Sequence, residues 1–395
     1  MRTIQRKRRR SLTILAAVSA AAALGLAGCS GGSGGSGDTG TGADPDQAAG
    51  VPQEVLDRIE QYSAAQPFEY DGPAFDASAA GGSTLWWVPM TSQNPFLVTV
   101  GGNLEKALAT QSVSLKECDG NANPVDINNC VSQATAQGAA AIQVDGPEPD
   151  MYLNTLQAAA AAGIPVLVGA AGDASDPVPA EVAGISSQPF ALSGQLAADW
   201  VISDSGAKAN VLLITTPDVV GSISQQEGFE AEMAEFCPEC KVTVEGVTLG
   251  NWATDLGQTV SAALSRDPSI DYVFPVFDPM TQFTNPAIQQ AGRANSVKVV
   301  TVNGNLPFMQ ELADPDSLIH AMIGLDLNAQ GWIEADLALR AMTGNPTVAN
   351  AYPPARLFTK ENVSELTLDA ESSNNSSWYS GAGTVDDFFQ ELWKG

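Results

Sequence analysis

The chain has 395 residues, 44% hydrophobic and 16% charged, enough apolar side chain to bury one large core or two medium ones, which excludes disorder as the default. Its formal charge is −27, and Arg2, Arg6, Lys7, Arg8, Arg9 and Arg10 crowd the first ten positions; without them 12 basic residues face 45 acidic ones, a balance of −33. A surface so acidic repels phosphate backbones, which excludes nucleic acid as a partner and otherwise serves solubility.

The basic start leads into "SLTILAAVSAAAALGLAG", an apolar run of small residues that stops at Cys29. A cationic n-region, an apolar h-region and a small-residue close predict a secretory signal over residues 1–28; the run is at the short limit for a membrane span. Leu26-Ala27-Gly28-Cys29 resembles the lipobox of bacterial lipoproteins, which implies cleavage before Cys29 and a lipid on its sulfur that anchors the chain to the cell membrane outside the cytoplasm. Arg9-Arg10-Ser11-Leu12 is faintly similar to a twin-arginine signal. Residues 29–50, rich in Gly and Ser, read as a flexible tether. Residues 51–82 read as an N-terminal extension with one short helix and an extended segment.

From Ser83 a cycle repeats: a short apolar run, a turn, then a stretch of helical periodicity. The strand candidates in chain order are "TLWWVPM", "SVSLKE", "AAIQV", "PVLVG", "ANVLLIT", "KVTVEGV", "DYVFPVF", "VKVVTVN" and "LIHAMIGL". Helix candidates between them include "LVTVGGNLEKALAT", "MYLNTLQAAAAAG", "FALSGQLAADWVI", "EGFEAEMAEF" and "AQGWIEADLALRAM". Strands apolar on both faces, alternating with helices, predict an α/β fold with parallel sheets. The cycle restarts near "SGAKANVLLIT", so two lobes are expected. Ser222 to Gln225 fits a capping box, Pro124 and Pro149 suit first helical turns, and Gly163 suits a helix stop. Trp86 and Trp87 read as the end of a buried central strand. The long tail after Pro353 closes on Trp378, Phe388, Phe389 and Trp393, which predicts docking.

Apart from Cys29, four cysteines remain, and an exported chain is expected to oxidise them. Their spacing suggests two local disulfides, Cys118 with Cys130 and Cys237 with Cys240. "CPEC" is also compatible with a redox motif or half a zinc site. A thioredoxin-type motif needs its first cysteine at a helix N-terminus, whereas here a helix precedes the motif and a strand follows it. Zinc lacks a second pair at ligand spacing, and His320 is the sole histidine, so no metal is expected.

In doubly wound sheets ligands bind at the carboxyl ends of the strands. Those positions hold Met90, Gln93, Asn94 and Phe96; Asp145; "GAAGD" from Gly169; Gln188; Ser222 and Gln225; Trp252; Phe277 and Asp278; Asn303; and Asp326. Aromatic, uncharged polar and acidic side chains recur there, and lysine and arginine do not, which suits a concave site that stacks on a ligand and hydrogen-bonds to it. Asp278 and Asp326 equally suit helix capping.

Residues 83–353 resemble the type I periplasmic binding proteins of ABC importers, of the ribose-binding type. The resemblance rests on "TSQNPFLVTVGGNLEKA", "ISSQPFALSGQLAADW", "QQEGFEAEM", "DYVFPVFDPMTQF" and "VKVVTVNG", in that order along the chain. It implies two Rossmann-like lobes joined by a three-crossing hinge: residues 83–187 and 326–350 in the first, residues 188–325 and 351–395, with the tail, in the second. It also implies that Asn94 and Phe96 line one side of a cleft, that Trp252 is the second lobe's stacking residue, and that Asn303 stands where an aspartate is usual. The departures are Ala170-Ala171 in place of Asp-Arg, Ile223 in place of an arginine, and Phe277 in place of an asparagine. Losing these charged clamps points away from common free sugars and from anions, toward a neutral or cationic molecule with a flat apolar face and a few hydroxyls: a glycoside, cyclic polyol, nucleoside or aromatic compound.

The implied function is a lipid-anchored, monomeric binding protein that captures a small molecule for an ABC permease; the alternative is a sensor that presents a ligand to a membrane receptor. An enzyme is not expected. His320 lies inside the strand run "LIHAMIGL", so a Ser-His-Asp or Cys-His site lacks its base, and no phosphate-cradling motif opens a helix after a strand. No cofactor is implied.

Overall fold

A computed structural model describes residues 50–173, 179–349 and 351–395; the expected signal sequence, Cys29 and nearly all of the tether lie outside the described residues. The first lobe is built on β1 (Thr84–Pro89), whose side chains alternate between the two faces of the sheet as a strand requires. Trp86 and Val88 join Ile127, Val131 and Leu156 on one face, while Leu85 and Trp87 join Val100 and Leu104 on the other. Both tryptophans are buried. The Trp87 ring lies so close to Gly101 that no side chain fits there.

Around β1 lie β2 (Ser114–Glu117), β3 (Ala141–Asp145), β4 (Val166–Asp173) and β5 (Gly184–Gln188), in the order β2-β1-β3-β4-β5 and all parallel. Their connections are α2 (Pro95–Ala109), α3 (Pro124–Ala136) and α4 (Leu153–Ala161), with α1 (Gln53–Ser63) in the N-terminal extension. Asn94 and Asn123 cap α2 and α3, and Pro95 and Pro124 fill the first turns.

The second sheet has the order β11-β10-β9-β8-β6-β7, formed by β6 (Asn210–Thr215), β7 (Lys241–Gly246), β8 (Tyr272–Pro275), β9 (Lys298–Asn303), β10 (Ile319–Leu325) and β11 (Ala355–Thr359). It is parallel except for β11, which pairs antiparallel with β10. Its helices are α5 (Phe190–Ser205), α6 (Val220–Phe236), α7 (Trp252–Arg266), α8 (Thr281–Gln290) and α9 (Leu306–Ala313). The chain leaves the first sheet after β5. It returns after β10 as α10 (Leu327–Thr343), which packs on α2, β3 and β5, and crosses again to β11.

The termini add a layer. The tail continues through α11 (Lys360–Val363) to α12 (Thr384–Leu392), which lies against α10 of the first lobe, apart from the second-lobe assignment expected for residues 351–395. Trp393 stacks on Trp332 of α10 with ring centroids 5.5 Å apart, and its Nε1 donates to the buried Asp336 at 2.8 Å. The extension joins the same face, with Phe75 N donating to Leu392 O and Ala77 N to Trp393 O. Arg58 of α1 makes a forked bond to buried Asp199 of α5, both arms 2.9 Å. Disulfides join Cys118 to Cys130 and Cys237 to Cys240. Among the described residues no helix is long and apolar enough to cross a membrane.

One local expectation fails. The capping box at Ser222 does not form: α6 begins at Val220, and Ser222 Oγ accepts from Thr216 N at 2.7 Å, tying the helix to the end of β6.

Candidate ligand-binding site

The carboxyl ends of both sheets border a cavity with about 500 Å³ of empty space, its mouth included. It is lined by Met90, Asn94, Phe96, Leu97, Gly146, Ala170, Phe190, Val219, Leu249, Trp252, Phe277 and Asn303. None carries a formal charge.

On the first lobe, β1 ends and the chain turns into α2. Asn94 caps that helix, its Oδ1 accepting from Phe96 N at 3.0 Å, while Nδ2 is without a partner among the described residues. Gly146 and Ala170 follow β3 and lie within β4, both at positive φ (94° and 50°). On the second lobe Trp252 opens α7, and its Nε1 donates to Thr216 Oγ1 at 3.0 Å. Phe277 lies beside it, ring centroids 6.3 Å apart. Asn303 ends β9 at φ 121°, a sparsely populated backbone conformation of the kind that clusters at ligand clamps.

Of the residues expected at the site, Met90, Asn94, Phe96, Trp252, Phe277 and Asn303 border the cavity; Gln93, Asp145, Gln188, Ser222, Gln225, Asp278 and Asp326 do not. Gln93 is exposed on the turn. Asp145 is drawn beneath Gly169 by Gln143 Nε2, which donates at 2.6 Å, and by Trp87 Nε1. Burial raises its pKa, and burial together with the neighbouring Asp145 raises that of Glu334 on α10. Asp278 accepts from Asn305 N and Nδ2, each at 2.8 Å, and from Asn303 Nδ2 at 3.4 Å, while burial pushes its pKa up to about 7. Asp326 caps α10 through Ala329 N at 3.0 Å, with its pKa raised by burial to about 6. Gln188 and Gln225 are buried, and their side-chain amides have no partner among the described residues.

Leu97, Gly146, Phe190, Val219 and Leu249 are lining residues outside the expected set, and Ala170 lies in the strand-end "GAAGD" and at the place of a missing Asp-Arg pair. Phe190 was legible in principle, since it opens the helix that follows Gln188. Leu249 belongs to a short turn before Trp252 whose orientation local sequence does not reveal. His320 is a half-buried residue of β10, its Nδ1 2.8 Å from Leu318 O and its pKa lowered by burial. Among the described residues no group of three or more His, Cys, Asp or Glu is placed to hold a metal ion.

Comparison with known proteins places this geometry. The sequence profile of the periplasmic binding protein domain matches residues 85–346. No protein of curated function matches the chain by sequence. A solved sugar ABC transporter protein from Yersinia enterocolitica superposes with a TM-score of 0.70 at 18% identity, covering 82% of this chain and 98% of that one. A 5-methylthioribose transporter solute-binding protein from Thermotoga lettingae, in complex with 5-methylthioribose, gives 0.66 at 18% identity over 79% and 98% of the chains. An ABC transporter solute-binding protein from Agrobacterium vitis with bound allitol gives 0.64 at 20% identity over 72% and 97%. Profile, two mostly parallel sheets and strand-end cavity agree: the chain belongs to the periplasmic binding protein domain family, with the type I fold.

Proposed function

We propose that this chain is an extracytoplasmic, lipid-anchored substrate-binding protein that captures a small neutral molecule, hydroxylated or aromatic-faced, and delivers it as a monomer to an ABC permease. One observation carries the reading: the rings of Phe96, Phe190, Trp252 and Phe277, drawn from both halves of the chain, surround a cavity whose polar side chains are Asn94 and Asn303. Aromatic faces with a few amides suit a flat neutral ligand, and the absence of a cation among the lining residues disfavours an anion. The solved relatives with bound 5-methylthioribose and allitol support a polyol-like or apolar-substituted sugar-like class.

The test uses the full chain purified in detergent. Intrinsic fluorescence and melting temperature are followed against free sugars, cyclic polyols, nucleosides, glycosides, and neutral and acidic aromatics. A compound that shifts both signals at micromolar concentration supports the proposal, and silence from a sample that melts cooperatively sinks it. For the anchor, Cys29→Ser should move the chain from the membrane fraction to the soluble extracytoplasmic fraction.

A further inference from the structure

Among the described lining residues the hydrogen-bonding side chains are few, and each already holds one partner within the protein. Asn94 Oδ1 accepts from Phe96 N at 3.0 Å, while both N–H groups of its Nδ2 are without a partner among the described residues, so this amide is chiefly a donor to the cavity. Asn303 Nδ2 donates one N–H to Asp278 Oδ1 at 3.4 Å, so this amide keeps one N–H and its oxygen for a ligand. Asp278 is engaged in turn by Asn305 N and Nδ2, both at 2.8 Å. The Trp252 indole N–H is given to Thr216 at 3.0 Å, leaving that residue to present its ring. Every other lining residue is apolar or glycine, and at Gly146 and Ala170 no polar side chain reaches inward.

Resting on the proposed binding role, we infer that the ligand is a flat, neutral ring compound with one polar group on the edge facing Asn94 and one on the edge facing Asn303, and not a free monosaccharide. A monosaccharide would bring several hydroxyls into a site where, among the described residues, two side-chain amides are the polar partners, and each buried hydroxyl left unpaired opposes binding. A carboxylate would meet no cation. An aromatic ring with a hydroxyl at each end matches the two amides and places its faces against the surrounding rings.

The probe is 4-hydroxybenzyl alcohol, compared by calorimetric titration of the full chain in detergent with D-ribose, D-glucose, myo-inositol and 4-hydroxybenzoate. The alcohol should bind at least about tenfold more tightly than any of the four, the discrimination expected of one unpaired polar group. Asn94→Ser, which keeps a capping oxygen but removes the amide donor, should weaken alcohol binding about tenfold with the melting temperature unchanged. If a sugar, the inositol or the acid binds as tightly as the alcohol, this inference falls and the binding-protein reading stands. If Asn94→Ser binds the alcohol like wild type, the assigned donor is wrong and the inference falls. If none of the five binds to a cooperatively melting sample, this inference falls, and the wider panel decides the binding role.

Discussion

Trp252 Nε1 donates to Thr216 Oγ1 at 3.0 Å, so the indole that opens α7 is fastened to the residue just after β6. The bond fixes the ring plane and leaves its face to the cavity. Thr216→Val keeps the shape and removes the acceptor, stranding a buried indole N–H. We expect a loss of about 1–3 kcal/mol in stability, read from urea unfolding, together with weaker ligand binding. Thr216→Ser, which retains the oxygen, should recover both.

The rings themselves are tested by truncation. Phe96→Ala and Trp252→Ala should each weaken binding by about 1–3 kcal/mol while the chain still melts cooperatively, because both rings border the cavity at the first turns of their helices; as both are also buried in the core, some loss of stability accompanies each change. Wild-type affinity in both variants would remove these residues from the site.

Stability should fall as pH rises from about 4 to about 7. Burial lifts Asp278 from 3.8 to about 7 and Asp326 from 3.8 to about 6, so across this window the folded chain holds protons that the unfolded chain has released. Stability drops with pH wherever the folded state binds more protons. The large negative charge acts in the same direction. Urea midpoints at pH 4.5, 6 and 8 should decrease in that order, and Asp278→Asn should flatten the trend; a midpoint that rises with pH would show that these carboxyls ionise freely.

Arg58 ties the N-terminal extension to the second lobe. Its fork holds Asp199, whose side chain is fully buried, and it also reaches Glu232. Arg58→Ala would leave Asp199 an uncompensated buried charge, and we expect destabilisation of about 3–5 kcal/mol by chemical unfolding. A change under about 1 kcal/mol would mean that solvent reaches Asp199.

The tail is held by its last aromatic. Trp393 is 2% exposed, stacked on Trp332 and bonded to Asp336. Trp393→Ala should cost about 3–5 kcal/mol and expose apolar surface to a hydrophobic dye. An unchanged melting temperature would show that α12 is not part of the cooperative unit.

The nine strand candidates read from the sequence all appear as strands, while β5 and β11 were not anticipated. β5 reads "GISSQ", with a glycine and two serines in place of β-branched side chains, and it lies at the sheet edge. β11 reads "ARLFT" in a stretch that looks like tail, and its strand character comes from pairing with β10. The site was legible in part. Asn94, Phe96 and Trp252 stand at turns whose chemistry is local, but Asp145 and Asp278 follow strands equally well and turn away from the cavity.

What the sequence by itself determined is the alternation of strand and helix, the family resemblance and the aromatic, cation-poor character of the strand ends. These depend on periodicity and on residues near one another in the chain. Only the tertiary structure decided which strand-end side chains border the cavity and where the tail docks. Asp145 is claimed by Trp87, Asp278 by Asn305 and Asp336 by Trp393, partners 58, 27 and 57 residues away. A buried carboxyl turns toward whatever donors folding brings to it, and local sequence does not carry that information.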